Sequence, residues 1–379
     1  MKILHTSDWH LGISLNNISR IPDQKHFIEQ IFQIIKEEKI GAVILAGDVF
    51  DRSVSSSQAI SLYNEAVTCI CGQLEVPMII IAGNHDGAAR LSACSELLEA
   101  SGLYIKGKLE KDIIPIELNK NEEGTQIDIY SVPFFNIEEA RFLYPEADIR
   151  SYDEAMEVVC GNIRNNMNPE NVNIVVAHAY ISGAILSESD KSATLGTASV
   201  ASAEVFRDFS YTALGHIHKG QSICENVIYS GSPLAYSFSR ADNEFEKCVM
   251  ILDTEKNSVN VKFIKPLKEM RVLKGTYDEL IENIEHCDDY MKIIVTDKYA
   301  GYETMEFFRS YYPNLVQIIN ASVKNEERQS LTIEEIEQFS PEELLVKFFQ
   351  ETYQQDLGKD QIDMFISALK ETEREVDLS

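Results

Sequence analysis

The sequence predicts an α/β fold, with strands and helices alternating and the helices packed outside the sheet, followed by two smaller units. Three observations predict it. Five short apolar runs within the first 235 or so residues each end in a cluster of His, Asp or Asn. Amphipathic stretches of helical spacing separate the first three runs, and strand alternating with helix implies a sheet covered by helices. After Pro266 the pattern changes to a shorter α/β alternation and then to a pair of helices.

The elements follow in order. Ile3-Leu4 leads to Thr6-Ser7-Asp8-Trp9-His10, Ala42–Ala46 to Gly47-Asp48, and Met78–Ala82 to Gly83-Asn84-His85-Asp86. Ile174–Ala177 leads to His178, and Tyr211–Leu214 to Gly215-His216-Ile217-His218. The longer continuous runs, rich in Ile and Val, read as strands buried on both faces. Between the first three lie helical stretches at Asp23–Glu38 and Ser56–Leu74. In such sheets ligands gather beyond the carboxyl ends of the strands. Strands at Ile127–Val132, Val227–Tyr229 and Val249–Leu252 alternate less regularly and suggest a second sheet. Beyond Pro266, Met291–Thr296 and Leu315–Ala321 read as strands flanking a helix at Tyr302–Tyr311. Ser340-Pro341-Glu342-Glu343 carries a helix-start signal, serine as N-cap, proline at the first helical position and glutamate at the third. The helix it opens carries Leu345, Phe348, Phe349 and Tyr353, and a second one after Gly358 carries Ile362, Phe365, Ile366 and Leu369. The domains read as 1–266, 267–335 and 336–379.

Composition narrows the class without naming a function. A hydrophobic content of 44% and a charged content of 25% are those of an ordinary globular chain. No apolar run is long enough to span a bilayer, and the N-terminus lacks a stretch of signal-peptide length, so a cytoplasmic location is expected. The seven scattered cysteines read as reduced thiols rather than a disulfide framework. The net charge of −27 argues against a broad basic nucleic-acid surface. It is uneven, because residues 271–379 hold 11 Lys and Arg against 24 Asp and Glu.

The strand-end residues form a ligand set. Asp8, His10, Asp48, Asn84, His178, His216 and His218 offer oxygen and imidazole without thiolate. That chemistry suits manganese, iron or zinc and excludes a structural thiolate zinc site. Each motif alone is weak, since a lone Gly-Asp is usually a turn. Five strand ends that all finish this way are hard to explain by packing.

Asp-x-His, Gly-Asp, Gly-Asn-His-Asp, a lone His and Gly-His-x-His, in that order, resemble the blocks of the calcineurin-like metallophosphoesterase superfamily. Within it the chain resembles the nuclease-subunit family of bacterial SbcC–SbcD complexes. The segments that carry this are "MKILHTSDWHLG", "GDVFDR", "SESDKSATLGTASVASAEVF", "FSYTALGHIHKGQ" and "YSGSPLAYSFS", and it covers about residues 1–245.

The resemblance implies a four-layer α-β-β-α sandwich with a small α/β capping domain and a C-terminal helix pair. It implies two divalent metal ions, Mn2+ first among them. Asp8, His10 and His218 would hold one, Asn84, His178 and His216 the other, and Asp48 would bridge them. Together the metals would activate a shared water, bind the scissile phosphate and neutralise developing charge. His85 would protonate the leaving 3′ oxygen or stabilise the phosphorane. "GDVFDR" is also close to the form found in protein phosphatases of the superfamily, which implies that Asp51 orients His85 and that Arg52 touches phosphate. The implied activity is DNA cleavage, as a 3′–5′ exonuclease on duplexes and an endonuclease on single strands or hairpins, in DNA repair and recombination. The implied partners are DNA, an SbcC-type ATPase and a second copy of the chain. Leu345, Phe349, Ile362, Phe365 and Ile366 would dock on the ATPase coiled coil. Helices at Ser56–Leu74 and Gly87–Ala100, with Leu62, Leu91 and Leu97, would form the dimer contact. Two other readings stay open: a phosphoesterase for small substrates, which predicts a shorter chain, and a non-catalytic scaffold, which predicts gaps in the ligand set.

Overall fold

The computed structural model describes residues 1–118, 120, 124–187, 190, 200–243, 246–282, 284–285, 287–297, 302–321, 345–346 and 362. Residues Met1–Ser322 form one compact unit and Val323–Ser379 a second.

Two six-stranded sheets dominate the first unit. The first runs in the order Ser258–Phe263, Cys248–Asp253, Lys2–Thr6, Ala42–Ala46, Met78–Ile81, Leu103–Lys106. Its last four strands are mutually parallel, and Cys248–Asp253 pairs antiparallel with Lys2–Thr6. The second runs Gln221–Cys224, Val227–Tyr229, Tyr211–Gly215, Val172–His178, Ile127–Val132, Ile116–Leu118, with the four inner strands parallel.

Alternation along each strand sorts its side chains into layers, because successive residues point to opposite faces. Ile3, Ala42, Ile44, Ile79 and Ile81 of the first sheet meet Ile127, Ile129, Ile174, Val176 and Ala213 of the second in a central apolar layer. Leu4, Val43, Leu45, Met78 and Ile80 point the other way, onto Phe27, Ile28, Ile31 and Ile35 of the helix Ile21–Glu38 and onto the helix Ser57–Val67. On the far side Tyr130, Val175, Ala177 and Leu214 pack against Tyr152, Met156, Val159 and Ile163 of the helix Tyr152–Asn166. Three apolar layers between four structural ones make the α-β-β-α sandwich. The stretch Val249–Leu252 was expected in the second sheet but pairs inside the first. The strands ending at His178 and Gly215 lie in the second, so the ligand-bearing rim is assembled from both sheets.

A third, all-parallel sheet comprises Met270–Gly275, Tyr290–Val295 and Leu315–Asn320, with helices Tyr277–Glu282 and Tyr302–Arg309 as its crossovers. The sequence reading has no strand at Met270–Gly275, whose residues are half-buried or exposed and carry charges. Its core is Leu280, Met291, Ile293, Val295 and Phe308. It meets the sandwich on the helix Ile21–Glu38 through buried polar groups. The Tyr290 hydroxyl donates to Asp23 Oδ2 at 2.5 Å, and the Arg20 guanidinium lies 4.4 Å from the Tyr290 ring centroid. Arg20 also donates to the carbonyl of Ala235 at 3.0 Å.

Leu345 and Ile362 are helical and half-buried. Phe349, Phe365, Ile366 and the helix-start signal at 340–343 lie outside the described residues. Leu62 and Leu91, proposed as dimer contacts, are buried in the chain's own core, whereas Leu97 is 77% exposed. No helix among the described residues is long and apolar enough to cross a membrane.

Candidate metal centre

The carboxyl ends of the parallel strands of both sheets reach one rim, and there the backbone leaves its usual range. Asp8, His10, Asp48 and His216 all adopt positive φ, at 54°, 44°, 51° and 99°. This left-handed region is uncommon for residues with a side chain, although Asp and His enter it more readily than most. Such conformations persist where the surroundings over-determine them. Here they do. The amides of Asp8, His10 and Leu11 donate to the carbonyls of Gly47, Asp48 and Val49 at 2.9–3.0 Å, zipping the first two strand-end loops together. Gln24 donates to the carbonyls of Trp9 and His10, and the Tyr236 hydroxyl donates to Trp9 and Asp8. The glycines before the ligands allow close approach. A Cβ at Gly83 would lie 2.1 Å from Asp48 Oδ1, and one at Gly215 only 1.8 Å from the carbonyl oxygen of Ala46.

The side chains converge as two groups sharing an edge. Ligand atoms of Asp8, His10 and His218 lie within 4.8 Å of one another, as do those of Asp48, His178 and His216. Asp48 Oδ2 sits 3.7 Å from His10 Nε2 and 3.4 Å from His178 Nε2, between the groups. Asn84 Oδ1 is 3.0 Å from both His178 Nε2 and His216 Nδ1. Asp8, His10, Asp48, His178 and His218 are buried, while Asn84, His85 and His216 form the side open to solvent.

Electrostatics follow from burial and crowding. Burial alone would favour a neutral His178, but the Asp48 carboxylate beside it outweighs this and lifts its pKa to about 9. Burial pushes Asp8 up to about 6 against the pull of His178 and His218. His216, half-buried at the rim and facing other imidazoles, is held down at about 3 by desolvation first and the neighbouring rings second.

These residues fit divalent cations. His178 Nδ1 donates to the Ala46 carbonyl at 2.8 Å, which leaves Nε2 directed at the oxygens of Asn84 and Asp48, where a cation would take the place of its proton. His10 Nε2 and His218 Nε2 face each other at 3.1 Å. Lone pairs aimed at one another in a buried space are satisfied by a shared cation. The donor set, oxygen and imidazole without sulfur, selects a borderline or hard ion.

His85 Nδ1 lies 2.9 Å from a backbone carbonyl, that of Asp51. The Asp51 carboxylate was expected to orient this imidazole, and the main chain of the same residue does it instead. The carboxylate remains close, within 4.8 Å of ligand atoms of His10 and His85, and burial raises its pKa. Arg52 was expected to reach phosphate. Its side chain is 83% exposed, with Nε 3.3 Å from Asp51 Oδ2.

Sequence reasoning missed the residues that hold the ligands. Asp86 accepts from the amides of Gly83, Val49 and Phe50 at 2.9–3.1 Å, tying the second and third strand-end loops. Tyr236 packs edge-on against His10 and His218 at 5.3 and 5.7 Å. Lys247 Nζ donates to the His218 carbonyl at 3.0 Å, and Asp190 contacts the same histidine. Asp86, Asp190 and Tyr236 sit inside the motif segments themselves; nothing in the sequence marks Lys247.

The family match agrees with this architecture. Residues 1–220 match the calcineurin-like phosphoesterase family. Residues 266–353 match a family described as the type 5 capsule protein repressor C-terminal domain. The chain is similar to the D subunit of the SbcCD nuclease of Staphylococcus epidermidis, 32% identical over 370 residues, 96% of each chain. It is 31% identical to the protein of the same name from Staphylococcus saprophyticus, over 84% of this chain and 85% of that one. A solved structure, TT1561 of Thermus thermophilus, aligns with a TM-score of 0.41 at 13% identity, over 70% of this chain and 99% of that one.

Proposed function

The chain belongs to the calcineurin-like phosphoesterase family, and we propose that it is the nuclease subunit of an SbcCD-type complex that hydrolyses DNA phosphodiester bonds. One observation carries the reading: seven oxygen and imidazole ligands from five strand ends meet at one rim in two groups that share Asp48. The set is complete, so a scaffold that has lost its metals is disfavoured.

Asp8, His10 and His218 would hold one cation and Asn84, His178 and His216 the other, with Asp48 between, and Mn2+ suits this mixture of donors. Two bound cations supply Lewis acidity to the phosphate and lower the pKa of the attacking water. The protein's own contribution is placement. His85 lies on the open side next to Asn84, so a phosphate entering from solvent meets it directly. Its Nδ1–H is committed to the Asp51 carbonyl, which leaves Nε2 to deliver a proton to the departing 3′ oxygen. The buried Tyr236, Gln24 and Asp86 hold the loops so that little reorganisation accompanies reaction.

The remaining parts take supporting roles in this reading. The module 267–335 caps the site, and residues 336–379 dock on the ATPase. A homodimer would use the exposed apolar residues Val54, Ile60 and Leu97. The enzyme works on DNA in the cytoplasm.

The test is incubation of the purified chain with Mn2+ and linear duplex DNA, with and without the ATPase subunit and ATP. Metal-dependent cleavage that the partner and ATP stimulate is expected. Hydrolysis of small phosphoesters with no cleavage of any DNA would overturn the reading.

A further inference from the structure

We infer that Asp190 is a positioning residue for the metal site, a buried carboxylate that aims His218 at the first of the two cations. The inference rests on the metal reading above and deepens it. His218 presents Nε2 toward His10 Nε2 at 3.1 Å, so its other ring nitrogen points away from the ligand group. That nitrogen, Nδ1, meets Asp190 Oδ1 at 3.4 Å, and the same oxygen accepts the His218 backbone amide at 3.3 Å. The carboxylate thus touches the ring and main chain of one residue, which fixes χ1 and the ring plane together.

Asp190 is itself fixed. Its Oδ2 accepts the Ser187 amide at 2.6 Å, while its own amide donates to Ser187 Oγ at 3.2 Å. The side chain is fully buried. From the opposite side Lys247 Nζ donates to the His218 carbonyl and to Asp242 Oδ1 at 2.6 Å, so both ends of the His218 peptide are gripped.

The rest of the cluster shows why this matters for one metal position. Metal-binding histidines generally donate their second ring nitrogen to a carboxylate, carbonyl or water, which sets ring orientation and ligand strength. His178 uses the Ala46 carbonyl in this way. In the first group His10 Nδ1 is buried without a hydrogen-bond partner, so it lacks such an anchor. Of the first group's two imidazoles, the one whose second ring nitrogen has such an anchor is His218, through Asp190. Losing a partner of this kind typically costs about 10–100-fold in metal affinity.

The experiment is calorimetric titration of the metal-free full-length protein with Mn2+, for wild type, Asp190→Ala, Asp190→Asn and Ser187→Ala, alongside thermal melts without metal. Wild type should bind two ions. Asp190→Ala should weaken one of them by about 10–100-fold and leave the other near wild type, with a fall in the metal-free melting temperature from the two amides left unsatisfied. Asp190→Asn, which keeps an acceptor oxygen, should recover part of the loss, and Ser187→Ala should give a smaller loss of the same kind. Unchanged affinity at both positions in Asp190→Ala would overturn the inference. So would loss of both ions with no recovery in Asp190→Asn. A wild-type protein that binds no Mn2+ would instead overturn the metal reading itself.

Discussion

The backbone amide of His85 donates to Asp48 Oδ1 at 2.9 Å, so the residue proposed to deliver a proton is tied directly to the residue proposed to bridge two cations. One oxygen of Asp48 takes this amide while the other faces His10 and His178. The position of His85 is thereby referenced to Asp48.

That tie separates two variants. Asp48→Ala should abolish cleavage, reduce metal stoichiometry below two and release the His85 loop. His85→Gln keeps its amide, so both metals should bind while turnover falls by about 10²–10⁴, the usual worth of a general acid. Metal content by atomic spectroscopy and single-turnover cleavage decide the matter. Loss of a metal in His85→Gln would show that the imidazole is a ligand.

Gly83 should tolerate no side chain. A Cβ there would overlap Asp48 Oδ1, the oxygen that holds the His85 amide. Overpacking of this kind costs about 1–3 kcal/mol and is relieved by moving atoms. Gly83→Ala should therefore fold, melt at a lower temperature and bind fewer than two Mn2+. Full metal stoichiometry with unaltered cleavage would show that the loop has slack.

His5 sets a pH dependence of stability away from the metal cluster. It bridges the two sheets, near Tyr211 OH at 2.9 Å and the Leu214 carbonyl at 3.1 Å, and burial lowers its pKa to about 3 from an ordinary 6.5. Between these values the unfolded chain binds a proton that the folded chain refuses, so stability rises with pH in this window. The contribution is fully present above about pH 6.5 and is lost as pH falls toward 3, with a slope of at most about 1.4 kcal/mol per pH unit. Urea denaturation of metal-free protein at pH 5 and pH 7 should show a smaller difference for His5→Gln than for wild type. Equal differences would place the acid sensitivity elsewhere.

The charge of −27 sets an expectation for how the chain alone would bind DNA. An acidic chain makes few phosphate contacts, so the logarithm of its affinity should depend weakly on the logarithm of salt concentration, and the slope should steepen when the ATPase joins. Fluorescence anisotropy with labelled duplex at several salt concentrations measures both slopes. An equally steep slope for the chain alone would reveal a basic groove and remove the need for a partner's charge.

Much of the sandwich was legible because strand ends declare themselves. Apolar runs such as Ala42–Ala46 stop abruptly at Gly-Asp, and a residue type that tolerates a left-handed backbone follows at once. The strand Met270–Gly275 was not legible, because it is short of buried residues and its neighbours supply most of the apolar layer. Sheet membership was read wrongly for Val249–Leu252, since periodicity fixes which face a residue points to and says nothing of the strand beside it. Leu62 and Leu91 show the same gap for helices, where an apolar stripe does not say whose core it enters. For the site, residue types gave the ligands but not the supports. Asp51 acts on His85 through its carbonyl, a group every residue carries and no motif marks.

The helix Ile21–Glu38 has two attachments. At one it meets the three-stranded module through Arg20, Asp23 and Tyr290, and at the other Gln24 holds the carbonyls of Trp9 and His10. Arg20, Asp23 and Gln24 lie within little more than one turn, so this module and the loop that carries Asp8 and His10 are fastened to the same stretch of chain. If the proposed cation binds in that loop and its binding shifts the module, reciprocity requires that displacing the module change the cation's affinity by the same free energy.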